Sequence, residues 1–232
     1  VSFYFNKNYL FSIDLDYDFE KSMLKNFDYL IVENKMYISY LNEGKLYCYA
    51  YNDLGSKIFD NCFNQYKYSD ENINLFYDGN NVNIICTSDC SMKDYQLLNN
   101  VTILKISEKG TIASIETYGG YLNDIFIDAL FKENALFLFL KREKKSGGDF
   151  LNHGNYVLSI IRDGEVVKNT FFNEEDYKNI IFSDDDITIS FLNMIYRFDY
   201  DFNQILGLKF ERESFYRASS FDKLLLEISE TE

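Results

Sequence analysis

One short pattern recurs along this chain and restricts the folds that it can adopt: an aromatic-rich alternating strand that runs into a polar turn. Each turn contains Asp, Asn, Lys or Glu, usually followed by Gly, which supplies the positive φ that a tight hairpin needs. A short apolar strand resumes after each turn. The pattern predicts an all-β repeat architecture of antiparallel hairpins. Five such junctions lie at residues 13–19, 49–55, 104–110, 159–164 and 197–202.

The spacing of these junctions groups the strands into units of four. In the clearest unit, the strand candidates are separated by Glu-Asn, Asn-Glu-Gly and Asp-Leu-Gly turns. A period of roughly 40–50 residues, with one supersecondary unit in each period, is typical of blades stacked around an axis. The four strand candidates of the clearest unit cover 29–33, 35–41, 45–51 and 56–59, and the later units cover about 72–117, 124–172 and 177–210.

The two ends of the chain predict a fifth unit that they share. Residues 2–5, 9–16 and 22–24 fit the last strands of a unit, while 215–219 and 224–228 fit the first strands of one. Pairing of these terminal strands would close a ring and remove an exposed sheet edge. We therefore predict one domain over 1–232 with about five blades. A fragment of a larger ring, a β-sandwich and a pair of small β domains stay open as alternatives.

The repeated four-strand units resemble those of β-propeller proteins across nearly the whole chain. The sequence has no Trp-Asp dipeptide, no kelch di-glycine pattern and no Asn-Asp metal loop, so the resemblance is to the architecture alone. Five-bladed propellers include glycoside hydrolases with three acidic residues at a central pocket, and also lectin-like binders. This chain has no Trp, the usual platform for stacking sugars, and none of its carboxylates can be matched to the hydrolase acids residue by residue.

Charge and hydropathy exclude several classes of partner. The formal net charge is −14, which repels phosphate backbones and anionic membrane surfaces, so we expect no nucleic acid partner. The most apolar run, 135–140, is far shorter than the roughly 20 residues of a membrane-spanning helix, so we expect no membrane insertion. We predict that this run is a central strand buried on both faces. Residues 122–131 fit both helical spacing and strict alternation, and the repeat register favours a strand.

The cysteines show neither a metal-binding spacing nor a disulfide framework. Cys48, Cys62, Cys86 and Cys90 are therefore expected to be free thiols. No signal peptide is visible, and a peptide removed on export would leave no trace, so the compartment stays open. Between the alternatives we favour an extracytoplasmic or surface-exposed location.

One loop carries the only histidine of the chain. His153 and Asp149 lie in the glycine-punctuated segment 146–154 of the third unit, and long loops on rigid scaffolds often carry binding sites. Both residues are ligand-binding candidates, although a solvated loop is the plainer interpretation. A Ser-His or Cys-His catalytic site would need this one histidine, and no G-x-S-x-G motif occurs. We predict no catalytic residue and no cofactor, and lean against an enzyme.

A run of three aspartates is the candidate for a metal site. Asp184, Asp185 and Asp186 are expected to form the turn between the first two strands of the fourth unit, with calcium binding as the alternative. A second acidic cluster, Asp14, Asp16 and Asp18, lacks the glycine and the closing glutamate of an EF-hand loop, and a hairpin-turn role is expected for it.

Two functions follow from these observations. The first is a non-catalytic binding module that presents loops of the repeat scaffold to a protein or cell-surface partner. The alternative is a carbohydrate-active enzyme or a lectin-like sugar binder that uses central carboxylates. The sequence makes no prediction of the oligomeric state.

Overall fold

The computed structural model describes residues 2–5, 8–12, 26–64, 66–89, 100–119, 123–143 and 155–209. Every regular element in these ranges is a β-strand apart from a single helical residue, Asn26, so the all-β prediction is confirmed. The chain begins with an antiparallel pair, β1 (Ser2–Phe5) and β2 (Asn8–Ser12). In this part of the chain, no helix is long and apolar enough to cross a membrane.

The remaining strands form four antiparallel sheets, and each sheet takes four strands in chain order. Antiparallel neighbours can be joined by short turns, and most connections within the sheets are two to five residues long, whereas those from β8 to β9 and from β12 to β13 are longer. Sheet 1 contains β3 (Phe27–Val32), β4 (Lys35–Asn42), β5 (Lys45–Asn52) and β6 (Lys57–Phe63). Sheet 2 contains β7 (Tyr68–Tyr77), β8 (Val82–Ser88), β9 (Asn100–Ile106) and β10 (Ile112–Tyr118). Sheet 3 contains β11 (Asn123–Lys132), β12 (Ala135–Glu143), β13 (Tyr156–Arg162) and β14 (Glu165–Phe172). Sheet 4 contains β15 (Tyr177–Phe182), β16 (Ile187–Phe191), β17 (Met194–Phe198) and β18 (Gln204–Lys209).

The four sheets confirm the four-stranded blades of the predicted β-propeller class. Their boundaries agree with the four predicted units, and the ambiguous segment 122–131 contains a strand, β11. The strands predicted at 22–24, 215–219 and 224–228 lie outside the described residues, so the fifth unit and ring closure stay predictions. The contacts divide the chain into two compact units. The first unit comprises Val1–Asp149 with Leu158–Lys168, and the second unit comprises Phe150–Val157 with Asn169–Glu232. Below, "first unit" and "second unit" mean these two parts of the chain, and the four-stranded repeats are called sheets. The single domain also stays a prediction.

The turns between the third and fourth strands share one design in sheets 1, 2 and 4. A polar side chain at the start of each turn accepts backbone N–H groups from the turn itself: Asn52 from Leu54 and Ser56, Ser107 from Thr111, and Asp199 from Asp201 and Asn203. These bonds hold a turn that ends in one left-handed residue. The left-handed residues are Gly55, Gly110 and Phe202, with φ of 76°, 79° and 59°.

Sheets 1 and 2 share one apolar core in the first unit. Leu46 and Cys48 of β5 and Ile84 and Leu104 of sheet 2 are all fully buried in the same cluster. Burying a side chain of this size stabilises the fold by about 1.5–3 kcal/mol. Strand β8 is buried at every position, and β12 is buried along 135–140, as the apolar run predicts. The middle strands therefore pack on both faces.

The second unit has an aromatic core. The ring of Phe191 is fully buried, and the rings of Tyr156, Phe172, Tyr177 and Tyr196 surround it at centroid distances of 5.3–6.3 Å. Aromatic pairs at such distances contribute about 0.5–1.5 kcal/mol beyond the burial of their area. These five aromatic side chains therefore serve to pack the core of the second unit.

The thiols fit a structural role. Cys48 is a free, buried thiol, and burial raises its pKa to about 12, so it is not nucleophilic at neutral pH. Cys62 is a free thiol on the exposed strand β6, Cys86 is buried in β8, and Cys90 lies outside the described residues.

The turn glycine Gly110 provides a test of how sheets 1 and 2 pack. A methyl group there would overlap the amide of Asn61 and the ring of Phe59 on β6, whereas one at Gly164 would meet nothing within 4 Å. Both glycines have a positive φ. We expect Gly110→Ala to lower the free energy of unfolding by about 3 kcal/mol and Gly164→Ala by about 1 kcal/mol. Urea denaturation measures both, and equal losses would contradict the packing of this turn on β6.

Candidate functional site

Two aspartates occupy equivalent places on the first strands of sheets 1 and 3. Strand β7 contacts both β3 and β11, so the first strands of these three sheets are neighbours in the first unit. Asp28 lies on β3 and Asp128 on β11, and each precedes a Glu-Asn turn by the same number of residues. Both residues of each turn have a positive φ of 51–59°, as a two-residue type I′ hairpin requires.

Asp28 joins sheet 1 to sheet 2. Its Oδ2 accepts a hydrogen bond from the backbone N–H of Leu75 on β7 at 2.6 Å, and its Oδ1 accepts one from Tyr29 at 2.8 Å. The carboxylate is half-buried. Burial raises its pKa, while the two backbone hydrogen bonds act in the opposite direction.

Asp128 is the more strongly perturbed of the two aspartates. It is half-buried, and its Oδ1 accepts a hydrogen bond from the backbone N–H of Ala129 at 2.8 Å. Burial raises the pKa of Asp128 to about 6; the Ala129 hydrogen bond lowers it, and the negative charge of Asp28 raises it further. Near that pH the carboxyl group can donate or accept a hydrogen bond. Such a carboxyl group can bind a hydroxyl-rich group or exchange a proton.

A second feature is the charge of the hairpin turns. In each four-stranded meander, the turn between the first and second strands and the turn between the third and fourth lie at the same end of the sheet. All eight turns of this kind in the described sheets contain a carboxylate, and we call them the acidic turns. Those of the first unit carry Glu33, Asp53, Asp78, Glu108, Glu133 and Asp163, and those of the second carry Asp184, Asp185, Asp186, Asp199 and Asp201.

Hydrogen bonds fix the shape of the acidic turns. The hydroxyl of Tyr77, at the end of β7, donates to Glu33 Oε1 at 3.0 Å and so joins the turn ends of sheets 1 and 2. Asp78 Oδ1 accepts the backbone N–H groups of Asn80 and Asn81 at 2.9 and 2.7 Å. Burial alone would raise the pKa of Asp78. The hydrogen bonds that its carboxylate accepts, above all those from Asn81 and Asn80, have the larger combined effect, so the pKa lies below its usual value. Asp78 therefore stays ionised at neutral pH.

The three candidate metal aspartates form a turn, as expected, between β15 and β16. Asp184 and Asp185 are exposed, whereas Asp186 is buried and accepts hydrogen bonds from Nε of Arg197 at 2.7 Å and from its Nη2. Thr188 also donates to Asp186, at 3.4 Å. Across the described ranges, no group of three or more His, Cys, Asp or Glu side chains could hold a metal ion. Calcium binding by these aspartates stays the untested alternative.

The other candidates cannot be placed in the site. Asp149 and His153 lie outside the described residues, so ligand binding by them stays a prediction. Asp28 and Asp128 were not predicted as site residues, although the sequence contains a pattern that marks them. Residues 28–34 and 128–134 share the spacing D-x-x-x-x-E-N, and a carboxylate repeated before the same turn marks one position of the repeat.

Comparison with known proteins gives similarity to solved structures only. No family model and no curated protein matches the chain. A protein of unknown function from Bacteroides caccae is 10% identical over 76% of this chain and 57% of its own, with a TM-score of 0.45. BBS1N, solved in complex with ARL6DN, is 8% identical over 86% of this chain and 72% of its own, with a TM-score of 0.45. A subtype N10 neuraminidase-like protein of A/little yellow-shouldered bat/Guatemala is 11% identical over 84% of this chain, with a TM-score of 0.44. This chain spans 57% and 61% of the first and third proteins.

The ion pair of Asp186 and Arg197 gives a prediction for the fourth sheet. The Asp186 side chain is only 7% exposed, so removing Arg197 leaves a buried charge with only the long hydrogen bond from Thr188 to compensate it. We expect Arg197→Gln to lower the free energy of unfolding by about 2 kcal/mol. The control Lys57→Gln breaks an ion pair with Asp60 in which both side chains are about half exposed, and should change little. Chemical denaturation of both variants measures the difference, and similar effects would contradict a structural role for Asp186.

Proposed function

We propose that this protein is a non-catalytic binding module in which the acidic turns of the first unit hold a protein or cell-surface partner with a basic surface. The observation that carries this proposal is that all six turns between the first and second or the third and fourth strands in the first unit contain a carboxylate. Lys109 is the one basic residue in the acidic turns of the first unit. A partner rich in Lys and Arg complements such a surface.

The construction of the turns supports binding by a preformed surface. Turns of two to five residues held by their own side chains, such as Asn52 and Asp78, lose little conformational freedom when a partner binds. The net charge of −14 also speeds the encounter with a cationic partner at low ionic strength. The affinity should therefore fall as salt is added.

A polylysine peptide tests the binding proposal. Glu33, Asp53, Glu108 and Glu133 can be changed together to Gln or Asn, because none of their carboxylates caps its own turn through a backbone N–H in the described structure. We expect this variant to bind the peptide at least tenfold more weakly at low salt, a loss of about 1.4 kcal/mol. Isothermal titration calorimetry gives both dissociation constants.

A matched control separates the acidic turns from net charge. Changing Glu43, Asp60, Glu143 and Glu175 to the corresponding amides removes the same number of charges from a turn at the opposite end of sheet 1, two strands and one connection between sheets. This control should bind within about twofold of the unchanged protein. Equal weakening of the two variants, or no binding of the peptide at low salt, would rule out a site at the acidic turns.

A specific observation also supports the second candidate, a carbohydrate binder or carbohydrate-active enzyme. Asp28 and Asp128 are half-buried carboxyl groups at the same position of two repeats, and burial raises the pKa of Asp128 to about 6, a value suited to a general acid of a glycosidase. A glycan array probed with the unchanged protein and with Asp128→Asn tests this function. This candidate predicts a bound or hydrolysed glycan whose signal is lost in the variant, and an array without any signal would remove it.

A further inference from the structure

We propose that the face of sheet 1 that points away from sheet 2 is the docking surface for the chain's own N-terminal segment, residues 1–25. We call this surface the aromatic face. It consists of three cross-strand pairs of β4 and β5: Met36 with Tyr51, Ile38 with Tyr49, and Tyr40 with Tyr47. The proposal is distinct from ring closure, which would pair the two ends of the chain, and it does not depend on the function of the acidic turns.

Strands β4 and β5 carry apolar side chains on both faces, and sheet 2 covers only one of them. Leu41 of β4 and Leu46 of β5 lie in the core that sheets 1 and 2 share. Side chains alternate between the faces of a strand, so the aromatic face points the other way. Within the described ranges, the hydrophobic cluster around Ile38 draws all of its side chains from sheet 1 itself.

The aromatic face is nevertheless buried. Ile38 and Tyr40 are 0% exposed, and Met36 and Tyr51 are each 6% exposed. A fully buried side chain has neighbours on every side, and the other strands of its own sheet lie only beside it. A further part of the chain therefore packs on top of β4 and β5.

The covering element is narrower than sheet 1. Ile31 lies opposite Met36 on β3 and is 66% exposed, while Cys62 lies opposite Tyr47 on β6 and is also exposed. Residues that lie opposite each other in an antiparallel pair share a face of the sheet. The two outer strands of sheet 1 are thus accessible on this side, and the two middle strands are not. Since neighbouring strands lie about 4.8 Å apart, the cover is about two or three strands wide.

The N-terminal segment matches this cover in place and in width. It belongs to the first unit, as sheet 1 does, whereas residues 210–232 belong to the second unit. It contains the antiparallel pair of β1 and β2, and a two-stranded sheet is marginally stable unless it packs against another element. The segment leads directly into β3, so a short connection keeps it close to sheet 1.

The chemistry of the two surfaces is also complementary. The ring of Tyr40 stacks on those of Tyr47 and Tyr49 at centroid distances of 4.8 and 5.9 Å, and the hydroxyls of Tyr40 and Tyr49 lie 3.2 Å apart. Such a row of rings favours contact with other apolar and aromatic groups. More than half of residues 1–25 are apolar or aromatic. Residues 9–15 carry such a side chain at every second position, the pattern of a strand with one apolar face.

Nuclear Overhauser effects in the full chain test which segment covers the aromatic face. Cross-peaks are recorded from the methyl groups of Ile38 and from the ring of Tyr40 in an otherwise deuterated sample. We expect cross-peaks to side chains within residues 1–25. Cross-peaks to residues 210–232 instead, or to sheet 1 alone, would overturn the proposal. A sample that mixes labelled and unlabelled chains separates the third occupant, because cross-peaks between chains would assign this face to a second copy and would also overturn it.

Two matched variants of β4 test the docking by its energetics. Ile38→Ala truncates a fully buried side chain of the aromatic face, and Leu41→Ala truncates a fully buried side chain of the opposite face. Hydrogen exchange of the β1 and β2 amides is measured relative to that of the β9 amides, which cancels any global loss of stability. We expect Ile38→Ala to raise this ratio at least tenfold and Leu41→Ala to leave it unchanged or lower it. A ratio that rises equally in both variants, or in neither, would contradict the docking of residues 1–25 on this face. If Ile38→Ala does not fold, the cross-peaks of the unchanged chain still decide between the occupants.

Discussion

The packing of one small sheet against the next is the interaction on which the rest of this structure depends. A four-stranded sheet with apolar residues on both faces of its middle strands cannot bury them alone, so each sheet needs neighbours. In the first unit, fully buried side chains of β5 and of β8 and β9 meet in one core. The positions of the turns and of the carboxylates follow from this stacking.

Polar contacts between sheets add geometric definition to the apolar core. Asp28 accepts the Leu75 amide, Asn61 donates to the carbonyl of Gly110 at 2.8 Å, and Asn72 donates to the carbonyl of Phe126. Each of these side chains satisfies a backbone group at the edge or turn of a neighbouring sheet. Such bonds contribute only about 1 kcal/mol each, but they fix how two sheets are placed against one another. Asp28, one of the candidate functional carboxylates, therefore belongs to the same set of contacts that position the sheets.

Local chemistry explains which features could be predicted from the sequence. The four units and their turns are encoded by alternation and by residues suited to positive φ, so they were predicted with close boundaries. Asp28 and Asp128 were missed because their environment depends on β7, which lies between them in the fold and not next to either in the sequence. The partner of Asp186 is Arg197, on the next strand but one along the chain, and the run of three aspartates gave no sign of it. Which side chains meet across strands and sheets depends on the strand register, and the register cannot be derived from the composition of the chain.

Native-state hydrogen exchange of the amides in β5 and β9 tests most directly whether the stability of sheet 1 depends on sheet 2. Leu104 of β9 is fully buried in the core that β5 shares, and Leu104→Ala should cost about 2–5 kcal/mol. We predict that this change lowers the exchange free energies of the β5 and β9 amides by the same amount, because sheets 1 and 2 open together. Retention of full protection in β5 while β9 loses its own would show that sheet 1 is stable without sheet 2 and would contradict this account.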